Sequence, residues 1–148
     1  MNALLSSYKK LRVDIFFSPV TQKSKKCFLM EKINSKSLID DAIFSFSIGD
    51  EEKAKFTLTK VLELDPENID ALRAISEVLL SLDDLELSEL YCRRALEINP
   101  EDLTSTVSLA RILVKKGDKD GAEDASAKAR ILGWKEELAS ESDEVHLD

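Results

Sequence analysis

"LELDPEN" (Leu62–Asn68) and "LEINPED" (Leu96–Asp102) stand 34 residues apart and agree at every position in identity or chemical type. Proline lacks a backbone N–H and pushes the residue before it away from helical dihedrals. Asp65-Pro66 and Asn99-Pro100 therefore each end a helix, and Asn68 and Asp102 are placed to cap the next one by accepting its free N–H groups. With Pro66 and Pro100 as register marks, the chain divides into units 35–68, 69–102 and 103–136. A fixed period of this size is the signature of stacked helical pairs.

The middle unit shows the pairing most clearly. Leu72, Ile75, Leu79 and Leu82 fall on one stripe of an amphipathic helix, and Leu87, Tyr91, Ala95 and Ile98 on a second. Between them, Asp83-Asp84 suits a turn followed by an N-cap. In the outer units the same turn is Gly49-Asp50 and Gly117-Asp118, where Gly supplies a left-handed residue and Asp caps the following helix. Ser37-x-x-Asp40 reads as a capping box opening the first helix.

These residues resemble the tetratricopeptide repeat family, whose units are 34-residue helix–turn–helix pairs. Paired helices about 8–10 Å apart need small residues where they approach. Ala42, Ser76 and Ala110 fill the first-helix small slot, Ala54, Ser88 and Ala122 the facing one, and Val61, Ala95 and Ala129 the third. Leu72, Ile75, Leu79, Thr106, Leu109 and Leu113 fill large slots of the first helices, and Leu58 and Cys92 those of the second. The chain departs from the pattern at Asp41, Ser45, Ser126 and Trp134. The resemblance implies an all-α solenoid of about three repeats over 35–138, with a short capping helix beginning near Trp134 and Leu138. The alanine-rich second helix of unit three (Ala122, Ala125, Ala127, Ala129) predicts the least stable repeat.

Charge is uneven. Residues 1–34 carry seven Lys/Arg against two acids, residues 35–102 seven against seventeen, and residues 103–148 seven against ten. This break reads as a boundary near residue 34, with a basic, loosely docked or disordered arm before it. An amphipathic transit peptide, or translation beginning at Met30, are the other readings of that arm. Residues 139–148, with the single His146, read as an acidic disordered tail. The net charge of −8 argues against nucleic acid, and no apolar run reaches membrane-spanning length. Cys27 and Cys92 form no metal-ligand spacing and read as reduced thiols of a cytoplasmic protein.

No nucleophile motif, phosphate loop or metal cluster appears, so neither catalysis nor a cofactor or metal is expected. The acidic pairs sit where carboxylates favour helix N-termini. What remains is surface. The resemblance implies that the first helices line a concave face that binds a peptide or amphipathic helix of a partner protein. By register that face presents Ile39, Ile43, Phe46, Arg73, Glu77, Leu80, Val107, Arg111 and Val114, with Arg73 or Arg111 pairing a ligand carboxylate. The alternatives are a homo-oligomer joined through its end repeats and a secretion-chaperone-like protein, the latter by analogy. Relatives that clamp the acidic tails of cytosolic chaperones use basic and amide side chains, where this chain has Ile39, Ile43, Ala74, Thr104 and Ser108.

Overall fold

The structure is a computed structural model and describes residues 34–144. The chain divides between Ser37 and Leu38, and the packing below is that of the unit beginning at Leu38. Helix α1 occupies residues 34–47, followed by α2 (Glu51–Leu64), α3 (Ile69–Ser81), α4 (Leu85–Ile98), α5 (Leu103–Lys116) and α6 (Lys119–Glu144). Each helix from α2 to α5 packs on the next, and α5 also touches α3. No strand occurs among the described residues.

The turns form as their residues dictate. Asn68 accepts from the Ala71 N–H at 3.1 Å, and Asp102 accepts from the Ser105 N–H at 2.9 Å. Asp50, Asp84 and Asp118 cap α2, α4 and α6 in the same way. Gly49 and Gly117 take left-handed dihedrals, φ 86° and 81°. In the middle hairpin Asp83 holds that place with φ 62°, a conformation that costs a residue with a Cβ more than it costs glycine.

Two buried clusters run through the stack. The first joins Ile39, Ala42, Ala54, Leu58, Val61, Leu72, Ile75 and Leu79, and the second joins Leu80, Cys92, Leu109, Ile112, Leu113 and Ala122. The small slots lie at the helix crossings. Ser88 Oγ donates to the Ser76 carbonyl at 2.7 Å, so this buried hydroxyl is satisfied by the slot it faces. Ser45 is also buried, and its hydroxyl donates back to the Asp41 carbonyl at 2.9 Å. Cys92 Sγ donates to the Ser105 carbonyl at 3.0 Å across the α4–α5 junction. Burial pushes the Cys92 thiol up to about 12.

Four details differ from the sequence reading. Residue 34 is already helical, so Ser37 lies inside α1 rather than capping it. The buried residues of α4 are Ser88, Cys92 and Ala95, while Leu87 and Ile98 face outward. The crossing is too close for leucine, and small side chains take the seam in preference to larger ones. Trp134 and Leu138 start no separate capping helix: α6 runs unbroken for 26 residues, because Trp134 takes the position at which Pro66 and Pro100 stop their helices. Residues 139–144 consequently form its last turns instead of a disordered tail, and His146 and Cys27 lie outside the described residues.

Candidate functional site

The first helices α1, α3 and α5 share one face, and their side chains there divide into three groups. Ile39 is 7% exposed and belongs to the core. Leu80, 4% exposed, is closed beneath α5 and packs with Leu109 and Leu113. Ile39 offers a ligand no side chain, which corrects the expectation for it, while Leu80 keeps only the edge that lines a cleft described below. Their large apolar side chains gain more from the helix seam than an open face can give.

The second group is engaged in ion pairs. Arg73 donates through Nε to Asp102 Oδ2 at 2.9 Å and through Nη2 to Oδ1, while its Nη1 reaches Asp70 at 2.9 Å. The Asp102 hydrogen bond raises the guanidinium pKa above its ordinary value, more than burial lowers it. Burial pushes Asp102 upward, but hydrogen bonds from Arg73 and from the Ser105 N–H outweigh it and hold the carboxyl below the ordinary range. This guanidinium is therefore committed within the protein, against the expectation that it pairs a ligand. Glu77 is likewise committed. It accepts from the Ser108 hydroxyl and from Arg111 Nη1 at 2.9 Å.

The third group stays open. Phe46 is half-buried, while Ile43, Val107 and Val114 are exposed and Arg111 keeps over half its side-chain surface. A cleft of about 300 Å³ lies between Phe46, Glu77, Leu80, Ser81, Arg111 and Lys115, so all three first helices contribute to it. A second, of about 400 Å³, lies between Val107, Ala110, Arg111, Val114, Ser126 and Ala129. Arg111 lines both clefts, and Ile43 lines neither.

The second cleft has a physical origin in the repeat. Shifted back by 34 residues, Ala110, Val114, Ser126 and Ala129 become Ser76, Leu80, Cys92 and Ala95. In the second hairpin those four are buried. In the third hairpin Ser126 and Val114 are exposed, and Ala129 is half-buried. Sequence reasoning missed Lys115, whose ammonium donates to the Leu80 carbonyl and to Asp83, each at 3.2 Å. Its position four residues after Arg111 places both cations on one side of α5, which was the available signal.

Stacked helical hairpins with small residues at their crossings define the class of this protein: a helical-repeat solenoid. The model for the tetratricopeptide repeat matches residues 44–68 and 69–102, the boundaries set by the Pro66 and Pro100 turns. Residues 44–102 are thus tetratricopeptide repeats. Curated proteins give no match to it. Among solved structures it is similar to a Thermobaculum terrenum O-GlcNAc transferase mutant, with TM-score 0.67 and 22% identity over 69% of this chain. The match spans only 20% of that transferase. It is also similar to the second tetratricopeptide repeat domain of Spaghetti (RPAP3), bound to the HSP90 peptide SRMEEVD. There the TM-score is 0.64 at 17% identity, covering 66% of this chain and 91% of that one. A third is the Yersinia enterocolitica type III secretion translocator chaperone SycD, with TM-score 0.66 and 18% identity over 75% of this chain and 85% of that one. At these identities the likeness is one of fold. No helix among the described residues is long and apolar enough to cross a membrane.

Proposed function

We propose that this chain is a non-catalytic, cytoplasmic binding module that holds a short amphipathic helix of another protein across the face shared by α1, α3 and α5. The observation that carries this reading is the pair of adjoining clefts joined at Arg111. Phe46, Val107 and Val114 give it apolar contacts, and Arg111 and Lys115 are half-exposed cations within reach of a ligand carboxylate. An apolar helix face with one acidic residue beside it complements that arrangement.

The ligand chemistry differs from that of the RPAP3 domain. The slots where chaperone-tail clamps place basic and amide side chains hold Ile39, Ile43, Ala74, Thr104 and Ser108 here, and Ser108 is taken up by Glu77. Residues 35–102 are net acidic, seven Lys/Arg against seventeen Asp/Glu, which repels a tail as acidic as SRMEEVD.

The test is a selection of binders from a library of amphipathic helical peptides, followed by mapping of amide chemical shifts on the full chain. Shift changes should concentrate on Phe46, Arg111, Val114 and Lys115, and Arg111→Glu should weaken binding by about tenfold. Changes confined to α2, α4 and α6 would place the site elsewhere. Titration with SRMEEVD should give no binding at micromolar concentration.

A further inference from the structure

The outer face of α6 carries an apolar stripe that no other described residue covers. At 3.6 residues per turn, Ala127, Ile131, Trp134 and Leu138 fall on one line. That line lies opposite Ala122, Ala125 and Leu132, the residues α6 buries against the rest of the chain. Ile131, Trp134 and Leu138 remain 53%, 65% and 67% exposed.

Helix length adds a second observation. α6 has 26 residues against 14 in α5, so it is about 18 Å longer at about 1.5 Å per residue. From Trp134 to Glu141 every side chain is exposed. A helical segment this short is marginal in water without an apolar face packed against something.

The charges flanking the stripe select the partner. The spacing of Ile131, Trp134 and Leu138, three residues and then four, is that of a coiled-coil seam, where flanking charges set orientation. Arg130 and Glu137 flank it on one side, and neither has an ion pair among the described residues. In an antiparallel pairing of two α6 helices, Ile131 meets the partner's Leu138 and the two tryptophans lie near the twofold axis. Arg130 then meets the partner's Glu137, twice by symmetry. A parallel pairing would instead bring Arg130 toward the partner's Lys135, a like charge. Lys135 itself lies near the antiparallel axis, but its ammonium is held by Glu101 of its own chain at 2.8 Å.

We propose that two copies of this chain associate through the outer faces of α6, antiparallel, with Trp134 at the centre and Arg130–Glu137 pairs on the flanks. None of the stripe residues or their flanking charges lines the clefts at Arg111, so the dimer does not rest on the binding function proposed above. Each copy contributes only three large exposed apolar side chains, so the dimer is expected to be weak and concentration-dependent.

Sedimentation equilibrium of the full chain from about 5 to about 500 µM brackets such an interface. The expected result is a monomer–dimer equilibrium, with the emission of Trp134, the single tryptophan, moving to shorter wavelength as dimer forms. Trp134→Lys should abolish association with circular dichroism unchanged, because the residue is exposed. Arg130→Glu and Glu137→Arg should each weaken it about tenfold, and the double swap should restore it. A wild-type monomer throughout the range, undiminished association of Trp134→Lys, or a double swap that restores nothing would each overturn the proposal. If the stripe serves a different protein, the first of these results follows.

Discussion

Arg73 of α3 and Asp102, the N-cap of α5, are joined by two hydrogen bonds from Nε and Nη2 to the two oxygens of one carboxylate. The carboxylate also accepts the Ser105 N–H that starts α5. One side chain therefore both begins the third hairpin and fastens it to the second. Asp102→Ala removes the cap and leaves Arg73 with only the exposed Asp70. It should cost about 2–3 kcal/mol in urea unfolding, a cap and a charge-assisted hydrogen bond together. Asp102→Asn, which keeps a capping oxygen, should lose noticeably less.

The same carboxylate makes stability depend on pH. Its folded pKa is depressed, so its contribution is complete above the ordinary aspartate value of about 3.9 and fades as pH falls through the lower folded value. Glu89, held below the ordinary range by hydrogen bonds from Lys116 and Arg93, acts with the same sign. Thermal unfolding between pH 6 and pH 3 should therefore show a fall in Tm concentrated below about pH 4. Asp102→Asn should flatten that fall; an unchanged slope would remove Asp102 as its source.

The three hairpin turns provide an internal comparison. An added Cβ meets nothing within 4 Å at Gly49 or Gly117, so substitution there tests backbone conformation alone. Gly49→Ala and Gly117→Ala should each destabilise by about 1–2 kcal/mol, the cost of left-handed dihedrals for an L-residue. Asp83→Gly should move the other way by about 0.5–1 kcal/mol, since the Lys115–Asp83 pair it gives up is solvent-exposed and weak. Chemical denaturation of the three variants checks the signs.

Packing predicts an order of local stability. Helix α3 buries Leu72, Ile75, Val78 and Leu79, whereas α6 buries Ala122, Ala125 and Leu132. With about 25 cal/mol gained per Å² of apolar surface, the last helix holds least. Native-state hydrogen exchange should show α6 amides opening at lower free energy than those of α3 and α4. Equal protection would contradict this ranking.

The hairpin boundaries were legible because proline and glycine act locally: Pro66, Pro100, Gly49 and Gly117 constrain their own dihedrals whatever packs around them. The seam of α4 was less so. Hydrophobic spacing favoured Leu87 and Ile98, whereas the repeat-family slots named Ser88, Cys92 and Ala95, the residues that the close crossing buries. The expected inner-face residues lie on α1, α3 and α5, but their availability was not readable. Leu80 is buried because α5 covers it, and Arg73 is occupied because Asp102 lies 29 residues away in sequence. Both facts depend on how hairpins stack. The length of α6 was foreshadowed only by the missing proline at Trp134.

The Cys92 thiol, enclosed where α4 meets α5, amounts to a stopwatch built into the stack. An alkylating reagent can reach its sulfur only while the second and third hairpins stand apart, since enclosure keeps it protonated and out of reach. With Cys27 replaced by serine, the rate of its capture therefore times how often neighbouring hairpins part company.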